Sequence, residues 1–315
     1  MSRYVGDPAV FTGNAHPQLA QDVCSALDVE LGCANVFDFA NGNTFVQFLE
    51  NIRERDVFLI QPGAKPVNHH LVELLIMIDA ARRASAGRIT AVVPYFAYGR
   101  SDKKDQPRVP ITARLFADLI QTAGADRMLT MDLHAGQIQG FFHIPTDELT
   151  GQMLLIDHFA ELEFNGVVVA PDLGSAKRAR AAADRLHLPL AITEKRRSGN
   201  EDQSEVMQLI GEVAGRDVLI IDDEIDTAGT LVHVAELLRR EGAQQIFGAA
   251  THGVLSNPAL ERLDASPISM VAVTDTLPPQ SNGDGCGLEV VSIAPLLGEA
   301  IRRIHEGDSV GALFR

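Results

Sequence analysis

Short, continuous apolar runs recur along the chain at 57–61, 89–95, 128–131, 166–170, 190–192, 218–221, 246–250 and 270–274. Runs of this length and character are strands buried on both faces. Helix-patterned segments separate most of them, predicted over 17–27, 70–86, 111–123, 151–163, 174–186, 228–241 and 294–305. Strands alternating with helices of that length must pair in parallel through crossover connections, which fills both faces of a sheet with helices. The expected fold class is therefore α/β. At 315 residues the chain exceeds what a single core supports, so two domains are expected. The boundary is placed near 145–150, giving domains 1–148 and 149–315, with the final helix a candidate to pack back on the first. The halves share their element order without a residue-level repeat. Asn41-Gly42, flanked by Phe39 and Phe45-Val46, predicts a hairpin. The helix 70–86 is apolar nearly all round, which places it deep in the core or at a subunit interface.

Bulk properties exclude several classes. Apolar content of 46% with 22% charged residues is that of an ordinary water-soluble globular chain, and no apolar run is long enough to span a bilayer. The first residues carry no apolar signal core, and three cysteines at unpatterned spacings, Cys24, Cys33 and Cys286, fit neither a zinc site nor a disulfide framework. A cytoplasmic location is expected. The formal net charge of −15 argues against a nucleic-acid surface, but a local cation cluster can still take a phosphate. Two such clusters occur in expected loops just beyond strands: Arg100, Lys103, Lys104, Arg108, and Lys195, Arg196, Arg197. There is no Walker A motif, and the glycine-rich 283–287 segment lacks the strand–turn–helix setting of a dinucleotide fingerprint. His69-His70 reads as a surface or interface pair, since adjacent residues rarely ligate one metal.

Open α/β sheets bind ligands beyond the carboxyl ends of their strands. Those ends carry Arg100, Ser101, Asp102, Lys103 and Lys104; then Asp132 and His134; then Pro171, Asp172 and Gly174; then Glu194, Lys195, Arg196 and Arg197; and finally Asp222 and Asp223. The last set opens the string Asp222-Asp223-Glu224-Ile225-Asp226-Thr227-Ala228-Gly229-Thr230. A strand, a small-residue turn and a helix start aim backbone N–H groups and a positive dipole end at one point, and an anion fits there. Carboxylates beside it suit hydroxyl groups or metal-bound water. A ligand with phosphate at one end and polyol at the other, a sugar phosphate, matches the pattern. Cations and acids interleaved at the other strand ends suit a Mg²⁺–polyphosphate.

Together, the 222–230 string, Ala91–Lys104, Met131–Phe142, Pro171–Gly174 and Glu194–Arg197 resemble ribose-phosphate pyrophosphokinase, over about 8–312. Ordinary phosphoribosyltransferases are similar only around 222–230. The resemblance implies two parallel-sheet domains of the type I phosphoribosyltransferase kind. It also implies transfer of the pyrophosphoryl group of ATP to the 1-hydroxyl of ribose 5-phosphate, with Mg²⁺ as cofactor. By that resemblance Asp226, Thr227, Ala228, Gly229 and Thr230 hold the 5-phosphate, and Asp222 and Asp223 the ribose hydroxyls. Lys195 and Arg197 match catalytic cations of a mobile loop. His134 and Asp172 match Mg²⁺-associated positions, and the ATP side falls on Asn41, Gly42, Asn43, Arg100, Ser101 and Asp102. A homo-oligomer, a hexamer built from dimers, is implied as well. The segment 197–204 has no apolar anchor and is expected to act as a lid.

The departures from the family pattern cluster on the nucleotide side: Asn43 where Glu is usual, Ser101 where Gln is usual, and His69 where Asp is usual. Glu201 and Asp202 make the expected lid more acidic. Three readings stay open: the active synthetase, a catalytically weak regulatory paralogue, and a phosphoribosyltransferase.

Overall fold

The computed structural model describes residues 4–197, 205–280 and 286–314, with only the backbone described for 195–197, 205, 206 and 314. The chain divides into two compact units. The first comprises 1–149, 276–278 and 292–315; the second comprises 150–275 and 279–291.

The first unit contains β1 (Ala9–Thr12), α1 (Pro17–Leu27), β2 (Ala34–Asp38), β3 (Thr44–Phe48), β4 (Asp56–Ile60), α2 (Val67–Arg83), β5 (Arg88–Val93), α3 (Thr112–Ala123), β6 (Arg127–Met131) and β7 (Thr146–Leu149). Its main sheet runs β1-β4-β5-β6-β7, all parallel, while β2 and β3 form a separate antiparallel hairpin. All five residues of β4 are buried, as a central strand covered on both faces requires. One face packs Val57, Leu59, Ala91 and Val93 against Leu74, Met77 and Ile78 of α2 and Ala113, Ala117 and Ile120 of α3. The hairpin anticipated from Asn41-Gly42 is present, with Phe37 opposite Phe45 and Asp38 opposite Thr44.

The second unit contains α4 (Gln152–Glu161), β8 (Gly166–Ala170), α5 (Ala176–Leu186), β9 (Leu190–Arg197), β10 (Glu205–Ile210), β11 (Asp217–Ile225), α6 (Gly229–Arg240), β12 (Ile246–Gly253), α7 (Ala259–Asp264), β13 (Met270–Thr274) and β14 (Gly287–Val291). Its sheet runs β10-β9-β8-β11-β12-β13-β14 and is parallel except where β10 pairs with β9. Side chains of β11 alternate between two cores. Val218 and Ile220 pack with Leu231, Val234 and Leu238 of α6, whereas Leu219 and Ile221 pack with Leu155 and Phe159 of α4 and Ala182 of α5. Helices thus cover both faces, the α/β class expected.

The last helix, α8 (Ala294–Glu306), belongs to the first unit and lies against α1. A methyl on Gly298 would sit 3.3 Å from the Cβ of Ala26, so glycine permits this close approach. At the base of the same unit the buried Asp56 accepts two hydrogen bonds from Arg88, at 2.8 and 2.5 Å, and lies 2.9 Å from His305 Nδ1. Arg88 also donates to the Ile304 carbonyl at 2.8 Å.

Several elements differ from the sequence reading. β11 continues through the acidic run to Ile225, because Asp222, Glu224 and Ile225 keep their register with Ala250, His252 and Gly253 of β12. Lys195–Arg197 are strand, not loop, since β9 is lengthened by pairing with β10. The segment assigned to the domain boundary holds β7, which completes the first sheet beside β6. The helix 70–86 begins three residues earlier, as α2; it buries Leu71, Leu74, Met77, Ile78 and Ala81 in the core and leaves the apolar Val72 50% exposed. His70 belongs to the core, its Nδ1 2.9 Å from the Ala64 carbonyl. No described helix is long and apolar enough to cross a membrane.

Candidate active site

In the second unit the strand order reverses between β8 and β11. The chain leaves β8 for β9 on one side and later returns to lay β11 on the other. Ligands of open α/β sheets bind at such a switch point, beyond the carboxyl ends of the two strands. Those ends here are Pro171–Gly174 and Asp222–Thr230.

After Ile225 the chain turns over Asp226, Thr227 and Ala228 and enters α6 at Gly229. Ala228 adopts φ 58°, a left-handed conformation that reverses the chain within one residue. No side chain caps α6, so its first N–H groups and its dipole are left for another acceptor. Arg262 of α7, which the sequence reading missed, donates to the Thr227 carbonyl at 3.0 Å and brings a guanidinium to this turn.

Across the switch point Asp172 Oδ1 accepts from the Ser175 N–H at 2.7 Å. The Ser175 hydroxyl donates to Asp222 Oδ1 at 3.0 Å, and the Asp223 N–H donates to the same oxygen at 2.9 Å. Arg178 Nη1 lies 3.8 Å from both Asp222 and Asp223. Burial, and then the adjacent Asp223 charge, push the Asp222 carboxyl up to about 7. Ser175 and Arg178 also escaped the sequence reading, which registered only the helix that carries them.

In the first unit Arg100, Ser101, Asp102, Lys103, Asp105, Gln106 and His134 share a polar opening of about 420 Å³ with Val109 and Pro110. Four of the sequence candidates, Arg100, Ser101, Asp102 and His134, are brought together here. Asp102 is buried and accepts from Gln137 Nε2 at 2.8 Å. The Ser101 carbonyl accepts from the Ala113 N–H at 3.2 Å, fixing the loop to the start of α3. Asn41, Gly42 and Asn43 stand apart from that opening's lining, at the tip of the β2–β3 hairpin. There the Asn43 N–H donates to Asn41 Oδ1 at 3.1 Å and Gly42 takes φ 82°. Lys195 and Arg197 lie on β9, opposite Met207 and Glu205 of β10, with their side chains outside the description. Of the expected lid at 197–204, only the backbone of Arg197 is described, as the end of β9; 198–204 lie outside the described residues.

Among the described residues no three His, Cys, Asp or Glu side chains gather into a metal-ligand group. Mg²⁺ needs no such group, because it keeps several waters and is held by one or two carboxylates plus substrate phosphates. In the second unit Asp222, beside the Asp223 charge, and Asp172 across the switch point offer the carboxylate oxygens that an ion of that kind takes. His134, in the first unit, offers an imidazole beside Arg100 and Asp102.

Parallel sheets wound with helices on both faces, with an acidic pair and an uncapped helix start at a switch point, define an open α/β protein with its candidate ligand site at that switch point. Residues 8–124 match the model of the N-terminal domain of ribose phosphate pyrophosphokinase, and residues 197–315 match that of the phosphoribosyl synthetase-associated domain. The chain is 50% identical to a ribose-phosphate pyrophosphokinase of Caldanaerobacter subterraneus over 316 aligned positions, covering 100% of both chains. It is 49% identical to the one from Clostridium acetobutylicum over 309 positions, 97% of each. The crystal structure of phosphoribosylpyrophosphate synthetase from Mycobacterium smegmatis superposes with a TM-score of 0.90 at 45% identity, covering 96% of this chain and 100% of that one. The chain belongs to the ribose-phosphate pyrophosphokinase family, whose members are transferases.

Proposed function

We propose that this chain transfers the β,γ-pyrophosphoryl group of ATP to the 1-hydroxyl of ribose 5-phosphate, yielding phosphoribosyl pyrophosphate and AMP for nucleotide biosynthesis. The 1-hydroxyl oxygen bonds to the β-phosphorus, the bond from that phosphorus to the α,β-bridging oxygen breaks, and the hydroxyl proton leaves. The observation that carries this reading is the uncapped α6 start joined to Asp222 and Asp223 at the switch point, in a chain of this family.

In this reading the 226–230 turn takes the 5-phosphate on backbone N–H groups and the Thr227 and Thr230 hydroxyls. Asp222 and Asp223 accept from the ribose hydroxyls. Arg100, Ser101 and Asp102, together with Asn41, Gly42 and Asn43, take the nucleotide. Lys195 and Arg197 are the cations that stabilise charge on the transferring phosphoryl oxygens, since such transfer asks mainly for positioning and positive charge. His134 of the first unit and Asp172 of the second are the residues assigned to Mg²⁺, which would neutralise polyphosphate charge. The protein is expected to work in a reducing cytoplasm as a hexamer built from dimers, which light scattering tests.

Two other readings differ in a single assay. A regulatory paralogue makes no AMP by itself, and a phosphoribosyltransferase consumes phosphoribosyl pyrophosphate with a nucleobase. AMP production from purified protein with ATP, Mg²⁺ and ribose 5-phosphate supports the proposal; its absence at saturating substrates overturns it.

A further inference from the structure

His69, where the family pattern has Asp, stands between two carboxylates from different elements. Its Nε2 lies 3.6 Å from Asp38 Oδ2 on β2 and 3.8 Å from Glu73 Oε2 one turn along α2. Glu73 is fully buried and cannot move toward solvent. It accepts from the Asn14 N–H and Asn14 Nδ2 at 2.7 Å each and from Gln61 Nε2 at 2.5 Å. Asp38 is the last residue of β2, and its Oδ1 accepts from the Thr44 hydroxyl at 2.8 Å, so it holds both strands where the hairpin turn begins. His69 thus joins a fixed anchor inside the unit to the base of the 39–43 turn.

Elsewhere the hairpin is attached through Ala34, Val46 and Phe48, which pack against the core of the first unit. Asn14 Nδ2 donates to the Val36 carbonyl at 3.2 Å, and Phe48 packs edge-on against Phe11 at 4.7 Å. Near the turn, Phe37, Phe39 and Phe45 contact one another, and Phe37 and Phe39 remain about half exposed. The neighbouring residue of α2, Asn68, accepts from the Tyr98 hydroxyl at 2.5 Å, and Tyr98 stacks on Phe116 at 4.9 Å. Consecutive residues at the start of α2 therefore hold the two segments assigned to the nucleotide, the hairpin turn through His69 and the 98–102 loop through Asn68.

We propose that His69 is a positioning residue that tethers the β2–β3 hairpin and thereby sets the affinity for the nucleotide. An imidazole carries positive charge only when protonated, the form that both carboxylates attract. The consequence for affinity rests on the reading that the 41–43 turn contacts the nucleotide; the tether itself does not.

The test is a double-mutant cycle of His69→Asn and Asp38→Asn, with His69→Lys as the variant that places a permanent cation between the two carboxylates. Hydrogen exchange of amides 37–45 in nucleotide-free protein is read beside KM for Mg-ATP, KM for ribose 5-phosphate and kcat. His69→Asn is expected to speed exchange and raise the KM for ATP, each about three- to tenfold, with kcat and the ribose 5-phosphate KM within about twofold. The double variant should be no worse than either single one, and His69→Lys should restore both readouts. Unchanged exchange, or singles whose effects simply multiply, overturns the tether. Faster exchange with an unchanged ATP KM keeps the tether and overturns its role in affinity, along with the nucleotide assignment of the 41–43 turn.

Discussion

The Ser175 hydroxyl donates to Asp222 Oδ1 across 3.0 Å, joining the residue before α5 to the carboxyl-terminal part of β11. Even with that donor, Asp222 titrates near 7 rather than its usual 3.8, because burial and then the Asp223 charge disfavour ionisation.

A raised carboxyl has a definite sign in stability. Between about pH 4 and pH 7 the folded chain keeps a proton that the unfolded chain has released, so stability falls as pH rises through that window. Asp222→Asn is expected to remove this slope and to raise stability above pH 7 by on the order of 2 kcal/mol, with Arg178 and solvent offsetting part of the full shift. Urea unfolding at pH 5 and pH 8 measures it; an unaltered slope in the variant rules the assignment out. The same variant should bind ribose 5-phosphate more weakly.

Lys195→Ala is expected to lower turnover by about 10²–10³-fold, the scale for removing one donor from developing charge. Substrate binding should persist, which calorimetry with ribose 5-phosphate can check beside single-turnover AMP formation. Unchanged turnover would remove Lys195 from the chemistry.

Asp56 is fully buried and joins Arg88 to His305 of α8. Asp56→Ala leaves the Arg88 guanidinium without its buried counter-charge and the His305 ring without its acceptor, and should cost about 3–5 kcal/mol in chemical denaturation. A loss below about 1 kcal/mol would show that α8 is held by its apolar face alone.

Gly63 sits where a Cβ would come within 2.5 Å of the Ala97 Cβ and 2.9 Å of the Ala97 nitrogen. Gly63→Ala should push back the 95–101 loop, lowering stability by about 1–3 kcal/mol. The KM for ATP should rise with kcat nearly constant. A thermal melt and initial-rate kinetics decide it, and an unmoved KM separates this loop from the nucleotide.

Strands such as 166–170 and 270–274 were legible to the residue because continuous burial leaves a continuous apolar run. The acidic end of β11 was not, because its place in the sheet comes from pairing with β12 rather than from apolar character. β7, with the sequence Thr-Asp-Glu-Leu, carries too little apolar pattern to announce itself, and β10, Glu-Val-Met-Gln-Leu-Ile, is apolar enough but is an edge strand set by its antiparallel pairing with β9. Within the site, Asp222, Asp223 and the 226–230 turn were visible as a contiguous string. Ser175 at the start of α5, Arg178 of α5 and Arg262 of α7 bear no local mark of function, and only side-chain geometry brings the first two to Asp222 and the third to the Thr227 carbonyl.

The amino-acid sequence by itself determined the α/β class, the alternation of elements and the residue types at each strand end. Hydrophobic period, turn chemistry and helix stops act over a few neighbouring residues and can be read without a partner. Tertiary structure decided what depends on residues distant along the chain: the reversal of strand order between β8 and β11, the return of α8 to the first unit, and the environment of Asp222. That carboxyl is raised because folding buries it beside Asp223, with Ser175 and Arg178 brought up from a helix some forty residues earlier in the chain. Desolvation and charge act through space, and that space exists only once the sheet has formed.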